Sequence, residues 1–188
     1  MLIPFGVFSA AGSSVPSDYE LIATTIVTSA GTVGFNSIPQ TYKHLQLRIT
    51  SRSNTSTNQS LLGMQFNNDG AGNYGYGFHY LKGNGSSVSS GVIGGTGYPL
   101  AFSYNQPGTS ISSNIYAAGI IDILDYTNTN KNKTIRSFGG MAVSSYNEIT
   151  LSSGLWLSTA AITSLVVLNQ SSPYQIDSGS RLSLYGVK

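Results

Sequence analysis

The sequence has no cysteine, so neither a disulfide framework nor a thiolate metal site is open to it. Charge is scarce as well. Asp, Glu, Lys and Arg make up 9% of the chain, against about 25% in an ordinary soluble domain. Solubility then has to come from Ser, Thr, Asn and Gln. The nine basic residues are scattered, with nothing denser than the alternating Lys131 and Lys133. A nucleic-acid reader normally shows a basic stripe or cluster, and no nucleic-acid partner is expected. Helical periodicity is also missing: no segment keeps its apolar residues at a 3.6 period over three turns. The opening residues, MLIPFGVFSAAGSSVP, are too short an apolar run to span a bilayer. They do not read as a signal peptide either, since no Lys or Arg precedes Lys43 and Pro4 and Gly6 break the run. No membrane partner is expected.

What the chain does have is strand pattern. In TYKHLQLRIT (Thr41 to Thr50), Leu45, Leu47 and Ile49 share one parity while His44, Gln46, Arg48 and Thr50 share the other. That period of two marks a strand with one buried and one wet face. Similar runs cover 19–28, 42–51, 61–66, 74–81, 115–124, 134–143, 148–151, 162–168 and 181–187, at strand lengths and in strand compositions. Gly, Asn and Ser clusters separate them without a fixed-period repeat. Asp69-Gly70 predicts a hairpin between the 61–66 and 74–81 runs. The stretch DYTNTNKNKT predicts a turn between 115–124 and 134–143. Lys82 to Gly97 reads as a surface loop, mobile or ordered only by a neighbour. With no intervening helices, the expected fold is all-β: one antiparallel β-sandwich of jelly-roll type over residues 19–188. Residues 1–18 form an extended apolar N-terminal arm. Leu2, Ile3, Phe5, Val7 and Phe8 are its docking side chains, reaching a neighbouring subunit or a larger particle.

Residues able to do chemistry are few. His44 and His79 are the only histidines, and each reads as an amphipathic strand residue. Asp122 and Asp125 are a close pair of acids, but three positions apart on a strand they face opposite sides. That separation does not build a two-carboxylate glycosidase site. Either could be drawn into a Ser-His-Asp arrangement, yet no Gly-x-Ser-x-Gly elbow is present. Asn67, Asp69 and Asn73 offer oxygen ligands of the kind Ca²⁺ takes, without the bidentate acid of an EF-hand; a turn is the simpler reading. No catalytic residue, metal site or cofactor is expected. Tyr74, Tyr76, Phe78 and Tyr80 share one parity. They line a core or subunit interface, or else stack on sugar rings of a host-surface glycan. Trp156, the only tryptophan, is expected to anchor packing.

Several longer phrases resemble a group of small virion structural proteins from tailed phages that infect cyanobacteria and other aquatic bacteria. The matching segments are Tyr19–Arg48, Asn73–Ser90, Ile120–Gly140, Gly154–Leu168 and the LYGVK stretch Leu184–Lys188. The likeness covers most of the chain from Tyr19 onward. It implies a virion location, with assembly in the host cytoplasm, and partners that are copies of itself or other capsid or tail proteins. The expected protein is then a non-enzymatic homotrimer acting as a capsid decoration or cement, or as a surface appendage. The alternative is a receptor- or glycan-binding module of a tail fibre.

Overall fold

The structure, a computed structural model, describes residues 17–70, 74–93, 103–143, 146–170 and 173–188, with backbone alone at 74–78, 93 and 103–104. The arm residues Leu2, Ile3, Phe5, Val7 and Phe8 therefore lie outside the described residues. So do Asn73 and residues 94–102.

Among the described residues there is no helix. The described residues form twelve strands: β1 (Tyr19–Ile26), β2 (Val33–Phe35), β3 (His44–Ser51), β4 (Gln59–Phe66), β5 (Tyr74–Gly83), β6 (Val88–Ile93), β7 (Ser103–Pro107), β8 (Ala117–Ile123), β9 (Lys133–Val143), β10 (Tyr146–Trp156), β11 (Leu165–Asn169) and β12 (Arg181–Val187). A large sheet takes eight of them in the order β1-β12-β3-β8-β9-β10-β5-β6, and a small sheet takes β2-β11-β4-β7. Every pairing is antiparallel. The result is an open two-sheet structure, not a closed barrel.

The core lies between the sheets and follows from the period-two pattern. Leu45, Leu47 and Ile49 of β3 are buried as expected, together with Ile121 and Ile123 of β8 and Leu182 and Leu184 of β12. The small sheet answers with Leu62, Met64 and Phe66 of β4 and Leu165 and Val167 of β11, and one apolar cluster joins both sides. Trp156 is 2% exposed. Its ring centroid is 5.5 Å from that of Phe66, and its indole N–H donates to Asp69 Oδ2 at 2.7 Å. The expectation that Trp156 anchors packing holds.

Two expectations fail for identifiable reasons. The Asp69-Gly70 turn exists, with Asn67 and Asn68 in left-handed conformations (φ 51 and 56), but it closes no hairpin. β4 pairs with β11 and β7, whereas β5 pairs with β10 and β6. The turn instead carries the chain from the small sheet to the large one. Asn67 is held there because its Oδ1 accepts from the backbone N–H of Thr163 at 2.9 Å and Ser164 at 3.1 Å. The second failure is the loop over Lys82 to Gly97, which contains strand β6. Its tight turn is made by Asn84, whose Oδ1 accepts the N–H groups of Ser86 (3.1 Å) and Ser87 (2.9 Å), followed by Gly85 at φ +89. An Asx turn of this kind orders a low-complexity stretch from within. The strands β2 and β7 had no counterpart among the expected runs.

Between β8 and β9 the expected turn is present. Asp125 takes a positive φ of 48, and Lys133 behind it is fully buried. The Lys133 ammonium donates to the carbonyls of Asn128 (2.6 Å), Lys131 (3.0 Å) and Thr159 (3.1 Å). Burial holds its pKa below the usual lysine range. Three carbonyls replace its water and tie the turn to the segment before β11.

Candidate functional site on the outer face of the large sheet

An antiparallel sheet packed on one side normally turns polar residues to the other. The middle of the large sheet does not. The register places Ile120 of β8 beside Phe138 of β9, Phe138 beside Leu151 of β10, and Leu151 beside Leu81 of β5. All four point away from the core and are 43–50% exposed. The next cross-strand row reads Ala118, Gly140, Ile149, Gly83 and Val88, with Ile149 53% and Val88 75% exposed. Where Ala118, Gly140 and Gly83 lie, the surface dips into a shallow trough of about 1070 Å³. Contiguous apolar surface on this scale marks an interaction site in soluble proteins. Apart from Val88, each large side chain is already about half covered, so full burial would add on the order of 1 kcal/mol apiece before ordering costs.

A polar chain borders the apolar rows on one side. Arg136 Nε donates to Asp122 Oδ2 at 2.9 Å, Gln46 Nε2 donates to Asp122 Oδ1 at 2.9 Å, and Arg48 Nε donates to Gln46 Oε1 at 2.9 Å. The Arg48 guanidinium also lies over the rings of Tyr185 at 4.5 Å and Tyr19 at 5.2 Å. Arg48 and Arg181 sit at the trough's β12 end. No carboxylate pairs with either among the described residues. The site is thus apolar at its centre, polar on one flank and cationic at one end.

The inner side of β10 explains why the outer side is apolar. Glu148, Thr150 and Ser152 are the buried parity. Glu148 Oε1 accepts from Asn105 Nδ2 of β7 and from Thr150 Oγ1 at 2.8 Å. Its Oε2 accepts from the Tyr146 hydroxyl at 2.6 Å and faces Lys82 Nζ at 3.3 Å. Burial alone would raise the Glu148 pKa, but the hydrogen bonds from Tyr146, Thr150 and Asn105 and the charge of Lys82 hold it below the usual carboxylate range. Burial first, then the Glu148 hydrogen bond and charge, together push the Tyr146 phenol up to about 12. With both oxygens engaged, this carboxylate is a tie between the sheets and has no free lone pair turned to a substrate. Because polar residues take the inner parity here, Ile149 and Leu151 are left outside.

The residues singled out from sequence do not converge. His44 Nδ1 accepts the Asp125 N–H at 2.9 Å, whereas exposed His79 pairs with Ser153 and Val92 on β10 and β6, four strands away. Asp122 is engaged by Arg136 and Gln46. Asp125 pairs with Lys131, whose hydrogen bond holds its pKa low despite the opposing effect of burial. The two acids do not share a site. Asp69 accepts from Trp156, and Asn67 from Thr163 and Ser164; no group of three His, Cys, Asp or Glu able to hold a metal occurs among the described residues. Of the aromatic row, the backbone of Tyr74, Tyr76 and Phe78 runs in β5 as a strand. Only the Tyr80 side chain is described. It is half-buried, opposite Ser152 on the inner parity, with Lys82 Nζ 5.5 Å from its ring. The exposed parity of β5 is His79 and Leu81.

Sequence reasoning missed the outer face, treating the wet side of the sheets as polar. The signal was in AAGIIDI of β8 and in the ITL run of β10, where apolar residues do not keep to one parity. No protein-family model matches this chain, and neither does any curated protein or solved structure.

Proposed function

We propose that this chain is a non-enzymatic structural protein of a phage virion, working by self-association and by docking on the particle. The observation that carries the reading is the exposed apolar row Ile120–Phe138–Leu151–Leu81, which needs a cover in water. The likeness of Tyr19–Arg48 and the other quoted segments to small virion proteins of tailed phages supports it. So does the way His44, Asp69, Asp122, Asp125, Glu148 and Asp177 are spent on ion pairs, hydrogen bonds and the inter-sheet tie. The protein is a sandwich of jelly-roll type with an extended N-terminal arm, associates as a homotrimer, and decorates or cements the capsid. It is made in the host cytoplasm and resides in the virion.

Quantifying the protein in purified virions against the major capsid protein tests this. Hundreds of copies per particle are expected of a decoration protein. A few to tens would move it to the tail, where a receptor- or glycan-binding role of a tail fibre is the alternative. Absence from washed particles would overturn the proposal.

A further inference from the structure

We infer that the apolar outer face of the large sheet is the seat for the segment Met1–Pro16 of a neighbouring copy. The inference rests on the self-association proposed above and names what does the associating.

Four observations point to this occupant. The first is chemical match. The segment places Leu2, Ile3, Phe5, Val7 and Phe8 within eight residues, and no Asp, Glu, Lys or Arg occurs before Asp18. The rows from Ile120 to Leu81 and from Ala118 to Val88 are equally uncharged. The second is charge. Packing two such faces directly together would bring in Arg48 and Arg181 from each copy with no acid to meet them, since Asp122 and Glu148 are already paired. A segment without charged side chains avoids bringing in further arginines.

The third is direction. β1 joins the sheet at Tyr19, opposite Val187, and runs toward Ile26, opposite Arg181. The apolar rows lie at the Ser183 and Arg181 levels of the sheet, because Ser183 pairs with Arg48, Arg48 with Ile120, Arg181 with Thr50 and Thr50 with Ala118. Pairing continues to Asp18, whose carbonyl accepts the Lys188 N–H at 3.1 Å, so the backbone there heads away from its own apolar rows. The outer surface beside it is also taken, by Tyr19, Arg48 and Tyr185 stacked together. Folding back onto the same subunit would need a full reversal around that stack. The fourth is reach. Eight small or polar residues, Ser9 to Pro16, can carry the apolar cluster about 26 Å from the β1 edge, and all sixteen can span about 50 Å. The eight-stranded sheet is about 34 Å across, so a neighbour's face lies within range. Exchange of one segment between identical chains is a low-cost route to a closed oligomer.

The test uses full-length chains throughout. A photoreactive benzoylphenylalanine replaces Phe5 in a mixture of isotopically light and heavy protein, and cross-linked peptides are sequenced. Light-to-heavy cross-links from position 5 to the peptides holding Phe138 or Leu151 are expected. Cross-links confined to light–light and heavy–heavy pairs at all concentrations would place the segment on its own subunit and overturn the inference. Cross-links that avoid the outer face altogether would overturn it too. Complementation guards against a poorly behaved photoprobe. One variant carries Phe5→Ser and Phe8→Ser; another carries Phe138→Asp and Leu151→Asp, at exposed positions that leave the core intact. Each alone should self-associate roughly 10–100-fold more weakly than the parent chain. Mixed, they should form a one-to-one heterodimer, one supplying the segment and the other the face. Variants that stay separate on mixing refute the exchange. Because both readouts use purified protein, a positive result stands even if the protein proves absent from virions, and a negative one does not bear on virion location.

Discussion

Replacing Glu148 by leucine removes the carboxylate that ties β7 to β10 and should cost about 3–5 kcal/mol of folding stability. The magnitude comes from what would be left behind. Asn105 and Thr150 are buried, and each would lose its acceptor on Glu148; a buried donor left unpaired costs about 1–3 kcal/mol. The Tyr146 hydroxyl loses its 2.6 Å partner as well, but hydroxyls can rotate toward other acceptors. Lys82 is 35% exposed on its side chain and can turn into water, so its lost pairing adds little. Leucine returns part of the cost as apolar burial. Glu148→Gln keeps one acceptor and should lose about 1.5–3 kcal/mol. Urea unfolding followed by the fluorescence of Trp156, which is 2% exposed, measures both. The pH dependence adds a second check. Because the folded pKa of Glu148 lies below its ordinary value of 4.5, its contribution is present above that value and lost as pH falls through the folded pKa. The phenol of Tyr146 shifts the other way, from 10.0 up to about 12. Its contribution is complete below 10 and lost as pH rises from there toward the folded value. Glu148→Gln should therefore flatten the acid limb of the stability curve below about pH 4.5 and bring the alkaline loss closer to pH 10. A leucine variant losing under about 1 kcal/mol, or an unchanged acid limb in the glutamine variant, would refute the tie.

The inner and outer faces should respond oppositely to truncation. Leu47→Ala, at a site with no exposure, should cost about 2–5 kcal/mol, whereas Leu151→Ala should change the stability of an isolated subunit by less than about 1 kcal/mol; equal losses in urea would contradict the assignment of faces. Gly140→Ala would set a Cβ 2.4 Å from the backbone carbonyl oxygen of Glu148, so β9 and β10 must part, and a loss of roughly 1–3 kcal/mol is expected. An unaltered midpoint would show that the strands do not approach so closely. Trp156 emission should be blue-shifted and poorly quenched by iodide, and red, readily quenched emission would place the indole outside the core.

The inward set of β3 was legible because one parity is uniformly apolar and the other uniformly polar. β12 was legible in outline for a similar reason, and its boundaries matched. β10 was not, because its pattern is inverted. Glu148, Thr150 and Ser152 are polar yet buried, and Ile149 and Leu151 are apolar yet exposed. Hydrophobicity alone would turn the strand over; the donors on Asn105, brought in from distant sequence, and on Tyr146, two residues earlier in β10, make the polar parity the inner one. The Asp69-Gly70 turn shows a related limit. Turn chemistry governs the local reversal, but whether the next strand pairs with the last one depends on which sheet has room for it. β6 escaped notice because Gly and Ser dilute its alternation, while β2 is three residues long and β7 has little apolar content. The apolar outer face, the main candidate site, is a product of register across β8, β9, β10 and β5. No single run contains it.

Sedimentation velocity of the full-length chain beside its Phe138→Asp variant tests most directly whether that face is where the protein meets its own kind. The parent should sediment as an oligomer at micromolar concentration and the variant as a monomer. At concentrations low enough for the parent to be monomeric both should share one urea midpoint, since Phe138 is 48% exposed and contributes little to the isolated fold. A parent that is monomeric at every concentration, or a variant that assembles as the parent does, would contradict the role assigned to the outer face.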